Sequence, residues 1–265
     1  MNMYLHEVRS FGKATVIWTC AMIALAAIYF SVYPGVEKDA TGFRELLGNY
    51  PASVRAMLGI SLDNITSLLG FYSMVFTFIT LCGAIQATIF GASVLSKETS
   101  GKTADFLMVK PVSRTAIINA KLLAVLTMIL ATDLIYFGAV SMFANSVKPD
   151  YSHKLFLMVN ATMFFIQLIF LALGLLASVI IPRLKSVLSV SLGIVFGLFF
   201  IGALITTGDK DMARLLSPFQ YFDNLYIIRH ARYEVLYLLA SLAIIIVAIT
   251  ASYAIYIRKD IHAIS

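Results

Sequence analysis

The chain has 265 residues, of which 60% are hydrophobic and 13% charged, about half the charged share of an ordinary soluble domain. So apolar a composition, with its charges gathered between long uncharged runs, excludes a water-soluble globule and places the chain in a bilayer. The formal net charge of +6 does not imply nucleic acid, because the basic residues stand at the ends of apolar runs, where anionic lipid headgroups attract them.

The first segment, Met1 to Lys13, carries His6, Glu7, Arg9 and Lys13 ahead of a long apolar run with no small-residue cleavage site behind it. It reads as the lead-in to an uncleaved first span, not as a signal peptide. A helix needs about 20 residues to cross the hydrocarbon core, and six runs are long enough: Ala14 to Tyr33, Ile65 to Ser96, Leu122 to Val147, Leu155 to Ile181, Ser186 to Gly208 and Val235 to Ile257. None alternates as a membrane barrel strand must. The chain is therefore expected to be an all-α integral membrane protein forming one domain, 1–265, with spans at about 14–33, 67–96, 117–144, 155–181, 186–207 and 234–257.

The second run is longer than a bilayer needs, so it must tilt or extend beyond it. Only Pro182, Arg183, Leu184 and Lys185 join the fourth and fifth spans, which predicts an antiparallel hairpin of neighbours. The connection from Thr207 to Glu234 mixes polar residues with Leu215, Phe219, Tyr221 and Phe222, and short re-entrant or interfacial helices are expected there. Six spans put both termini on one side. That side holds eleven of the 20 Lys and Arg residues, against nine spread over longer loops opposite, which favours cytoplasmic termini.

The loop after the second span is the most informative stretch. Thr103 can cap a short helix whose exposed face carries Asp105, with Phe106, Leu107 and Val109 on an apolar face and Pro111 as its stop. Such a helix would lie along the membrane surface and offer a partner an apolar anchor flanked by charges; the plain alternative is an ordinary amphipathic loop helix. Gly101-Lys102-Thr103 imitates the end of a phosphate-binding loop, but Ser96 stands where the first glycine belongs and no strand precedes it, so no ATP site is expected in this chain.

In Glu98, Gly101, Thr103, Asp105, Phe106, Leu107, Lys110, Pro111, Val112, Ser113, Arg114 and Lys121 the sequence resembles the permease subunits of type-2 ATP-binding-cassette exporters. Their second span is followed by an acid, Gly, Thr, an acid, apolar residues, Pro-x-Ser-Arg and a later Lys. The likeness extends to six spans, a basic amphipathic lead-in and the Ser217 to Phe222 run ahead of the last span. Lys102, between Gly101 and Thr103, departs from the pattern of many members.

The resemblance implies a permease subunit of the plasma membrane that is not itself catalytic. Two such chains, identical or related, would form the pathway, and separate ATPase subunits would supply ATP and Mg from below. The loop would be a cytoplasmic coupling helix, with Glu98, Gly101, Thr103, Asp105, Phe106, Leu107, Lys110, Pro111 and Arg114 at the ATPase contact. Arg183 and Lys185 would make a second, smaller contact, and Met1 to Lys13 would be an interfacial elbow helix.

The remaining polar residues leave alternatives open. Asp133 is the only acid deep inside a span, where a carboxylate costs roughly 2.5 to 3.5 kcal/mol; it is either a protonated or hydrogen-bonded acid at a helix contact or near the outer interface, or the proton carrier of a secondary transporter, the rival reading of the whole chain. Gln86 and Gln167 can line a pathway or bond across helices. Gly83 and Gly91 can let helices approach closely, at a dimer contact among other places. Cys20 and Cys82 lie in apolar runs as packing residues. His6, His153, His230 and His262 are too scattered to hold a metal.

Overall fold

The computed structural model describes residues 3–100, 114–181, 186–205 and 211–258, and among them there is no strand. Helix α1 covers Met3–Lys38, α2 Ala40–Gly48, α3 Ala52–Met57, α4 Leu68–Ser100, α5 Arg114–Val147, α6 His153–Ile180, α7 Val187–Ile205, α8 Asn224–His230 and α9 Val235–Arg258, with short 3-10 turns at Asp211–Leu216 and Pro218–Gln220. Six of these, α1, α4, α5, α6, α7 and α9, are long and apolar enough to cross a membrane.

Small residues and ring stacking sort these helices into a centre and a periphery. In α4 and α6, 67% and 61% of the most apolar stretch is buried, against 17% in α7 and 22% in α9. Helix α6 lies along α4, α1 pairs with α5, and α9 packs against α6. Tyr72 and Phe76 of α4, Tyr136 of α5 and Phe156 of α6 fill the half of the core that lies away from the N-terminus; Phe90, Ile129 and Phe170 fill the other half. Leu188, Phe200 and Leu204 of α7 and Leu239, Leu242 and Val247 of α9 face outward, as lipid-facing residues do.

Three expectations change. The lead-in is not a separate elbow: α1 is one helix of 36 residues, about 54 Å long at the ordinary helical rise. Its first turns lay one face against the bundle, where Glu7 is buried and the Phe11 ring lies 4.9 Å from that of Phe90. At its other end α1 continues past Tyr33 through Pro34. Third, the fifth span, α7, does not run beside the fourth, α6; it is seated on α4, because a short turn fixes only the joined ends of two helices. The close helix approach expected at Gly83 and Gly91 is made to α6 of the same chain.

The connection before the last span folds back as short helices. Ser217 Oγ donates to the Leu198 carbonyl at 2.8 Å, seven residues back from the end of α7, so the chain returns about 10 Å along that helix. Phe219 sits between Phe170 at 4.9 Å and Phe199 at 5.4 Å, and Phe222 stacks on Phe165 at 5.4 Å. Asp223 caps α8 by accepting from the Leu225 N–H at 2.8 Å.

Candidate functional site

The polar groups inside the bundle gather where α4, α5 and α6 meet. Gln86 of α4 donates through Nε2 to Thr132 Oγ1 of α5 at 3.0 Å. Thr132 passes its own proton to the Met128 carbonyl at 3.0 Å, which leaves its oxygen free to accept. Thr19 of α1 approaches the same oxygen at 3.2 Å while donating to the Thr15 carbonyl at 2.8 Å. Gln86, Thr132 and Gln167 are wholly buried, so each of these bonds satisfies a group that has no access to water.

Asp133 follows Thr132 and is half-buried, beside the outward-facing Leu134 and Ile135. With its amide nitrogen turned to this carboxyl group, Gln167 donates to Asp133 Oδ1 at 2.8 Å and Oδ2 at 3.0 Å. The opposite amide orientation offers only a 3.5 Å contact with Gln86 Oε1, the weaker arrangement. Gly83 makes room: a Cβ there would lie 3.1 Å from the Gln167 amide. The site therefore joins Asp133 and Gln167 directly and sets Gln86 beside them through Thr132.

One turn further along α5, Tyr136 continues the seam. Tyr72 donates to Asn160 Oδ1 at 2.7 Å, so the 3.0 Å contact between Tyr136 and Tyr72 runs from the Tyr136 hydroxyl. Asn160 in turn donates to the Phe156 carbonyl at 2.8 Å. No motif in the sequence marks Thr19, Thr132, Tyr72, Tyr136 or Asn160. The Thr132–Tyr136 spacing of four was the available signal, since it puts two hydroxyls on one helix face.

At the end of the bundle that holds the N-terminus, Lys121 of α5 is buried, donating to the Val94 carbonyl of α4 at 2.9 Å and lying 3.6 Å from Glu7 of α1. One side chain thus ties three helices where the α4–α5 connection returns to the bundle. In that connection Gly101, Thr103, Asp105, Phe106, Leu107, Lys110, Pro111, Val112 and Ser113 lie outside the described residues, as do Arg183 and Lys185. Glu98 and Arg114 fall in the last turn of α4 and at the start of α5, with only their backbone described.

At the opposite end, Arg214 donates to Glu234 at 2.7 and 3.3 Å and twice to the Gln220 carbonyl, with its guanidinium 4.3 Å above the Tyr237 ring. Burial alone would lower the Arg214 pKa; the hydrogen bond and charge of Glu234 more than reverse this and hold it above the ordinary value. The clasp pins the returning segment to the start of α9. Among the described residues no three His, Cys, Asp or Glu side chains converge as metal ligands would.

Residues 1–261 of the chain match the family model described as ABC-2 family transporter protein. No curated protein matches the chain.

Proposed function

The chain belongs to the ABC-2 family of transporter proteins, and we propose that it is the permease subunit of an ATP-driven exporter, working as a dimer with separate ATPase subunits. Membership in that family makes it a membrane component of an ABC transporter. The observation that carries the proposal is a family match running the length of a bundle with six helices able to cross a membrane.

In this reading both termini lie in the cytoplasm of a plasma-membrane protein, and the segment from Glu98 to Arg114 receives the ATPase, which binds ATP and Mg. Lys121 supports the assignment. It stands seven residues beyond Arg114 and links α5 to α4 and α1, so a push delivered to the segment reaches three helices at once rather than one loop. Arg183 and Lys185 make the second contact in this scheme. The rival reading, secondary transport through Asp133, gives no role to the Glu98–Arg114 pattern.

The test is a mild-detergent pull-down of the tagged protein from its own host, with mass spectrometry and an ATPase assay of the eluate. A co-purifying ATPase whose recovery falls when Asp105 and Phe106 are replaced is the expected result. A preparation that transports without any ATPase overturns the proposal. For orientation, a Cys placed at Lys110 should stay unlabelled in sealed cells by an impermeant thiol reagent, and labelling there reverses the topology.

A further inference from the structure

A cavity of about 420 Å³ opens between α3, α4, α6, α7 and the Pro218–Leu225 stretch, at the end of the bundle away from the N-terminus. Its volume lies in the range of small-molecule sites, and Ala52 and Asp223 on its rim are exposed, so it can be reached from outside the bundle.

The hydroxyls that α4 and α6 turn to it share one hydrogen-bonding sense. Ser73, Thr77 and Thr80 of α4 and Thr162 of α6 line it, and each hydroxyl donates its proton to a carbonyl of its own helix, at 2.7, 3.3, 2.8 and 2.7 Å respectively. A hydroxyl so committed can only accept. Asn224 Oδ1, also in the lining, is a buried acceptor with no partner, and Asp223 adds a carboxylate. Donors stand there too, in the side chains of Ser61 and Gln220 and in Arg55, whose buried Nε has no partner. Unpaired buried groups of opposite sense in one cavity are costly unless something answers them. Phe199, Phe219, Phe222 and Ile166 supply an apolar flank.

We propose that this cavity binds a small zwitterion with an apolar portion: an anionic group against Arg55, an N–H-bearing ammonium among the hydroxyls, Asn224 and Asp223, and apolar atoms against the phenylalanines. Such chemistry is found both in a phosphoethanolamine headgroup with its acyl chain and in a short apolar peptide. Binding does not depend on the exporter reading; only the placement of the site on the outer face does.

The experiment is calorimetric titration of the purified full chain, without any ATPase, with lysophosphatidylethanolamine, with lysophosphatidylcholine, whose ammonium carries no N–H, and with the dipeptide leucyl-leucine. Saturable binding of the first or third probe is expected, weakened about ten-fold or more in Arg55→Gln and Thr77→Val, as loss of a charged or buried hydrogen bond requires. The choline lipid should bind at least about ten-fold more weakly than the ethanolamine lipid. That comparison uses the unaltered chain and so survives a misfolded variant. Binding of the lysolipid alone assigns a membrane lipid, and binding of the dipeptide alone assigns a soluble ligand. No saturable binding by either, or equal affinity for the two lysolipids with no effect of Arg55→Gln, overturns the proposal. Absence of an ATPase from the pull-down leaves this result untouched.

Discussion

Gly91 of α4 and Gly174 of α6 sit against each other's helix backbones: a Cβ on Gly91 would stand 2.9 Å from the Leu175 nitrogen, and one on Gly174 3.0 Å from the Ala92 nitrogen. Lipid tails are as apolar as leucine, so membrane helices associate through close packing, and small residues permit it. The crossing of the two central helices is built on this pair.

Replacing Gly91 or Gly174 by alanine therefore presses a methyl group into backbone, which cannot swing aside as a side chain does. Each change should cost on the order of 1–3 kcal/mol. Gly138→Ala, where nothing lies within 4 Å of the added carbon, should be neutral or slightly stabilising. Thermal unfolding of the three variants in one detergent makes the comparison; equal behaviour would mean that α4 and α6 do not cross at this point.

Lys121 and Glu7 form a buried ion pair at 3.6 Å. Lys121→Met takes away the cation beside the buried Glu7 carboxylate, and loss of one member of a buried pair typically costs about 3–5 kcal/mol. Lys121→Met and Glu7→Gln should each lower stability, and the double replacement should recover part of the loss. A strictly additive double-mutant cycle would show that the two side chains do not interact.

Arg214 grips Glu234 and the Gln220 carbonyl through a planar fork that a lysine cannot reproduce. Arg214→Lys should weaken the clasp by about 1–2 kcal/mol, detectable as faster proteolysis of the stretch between α7 and α9. Because the folded-state pKa of Arg214 is raised, its stabilisation is fully present below the unfolded value and is lost only as pH rises through the folded one. Both lie far above neutrality, so this loss of protection in Arg214→Lys should be the same at pH 6 and pH 9.

Gln167 supplies the Asp133 carboxyl with two N–H contacts. Gln167→Leu should therefore destabilise by on the order of 1–2 kcal/mol in a micellar unfolding assay. Asp133→Asn keeps an acceptor for Gln167 and should fold normally. In the ATP-driven reading it also keeps transport, whereas transport abolished with ATPase activity intact would favour proton coupling.

By itself the sequence determined the six spans and the loop pattern between the second and third. Hydrocarbon leaves each span to satisfy its own backbone, so crossing a bilayer is a local property of some 20 residues. Thus the apolar run from Leu122 to Val147 sufficed to predict a span, and α5 covers it. What a span packs against is not local. Helices α4 and α5 are apolar all round, with no polar stripe to say which face turns inward.

The tertiary structure alone decided that Thr132, not Asp133, takes the Gln86 bond, that Gly91 meets Gly174, and that α7 leaves α6 to lie on α4. It also turned the lead-in into the first turns of α1, because Glu7 and Phe11 find partners in α5 and α4. These outcomes depend on side-chain volume and hydrogen-bond partners drawn from distant parts of the chain, which no run of neighbouring residues contains.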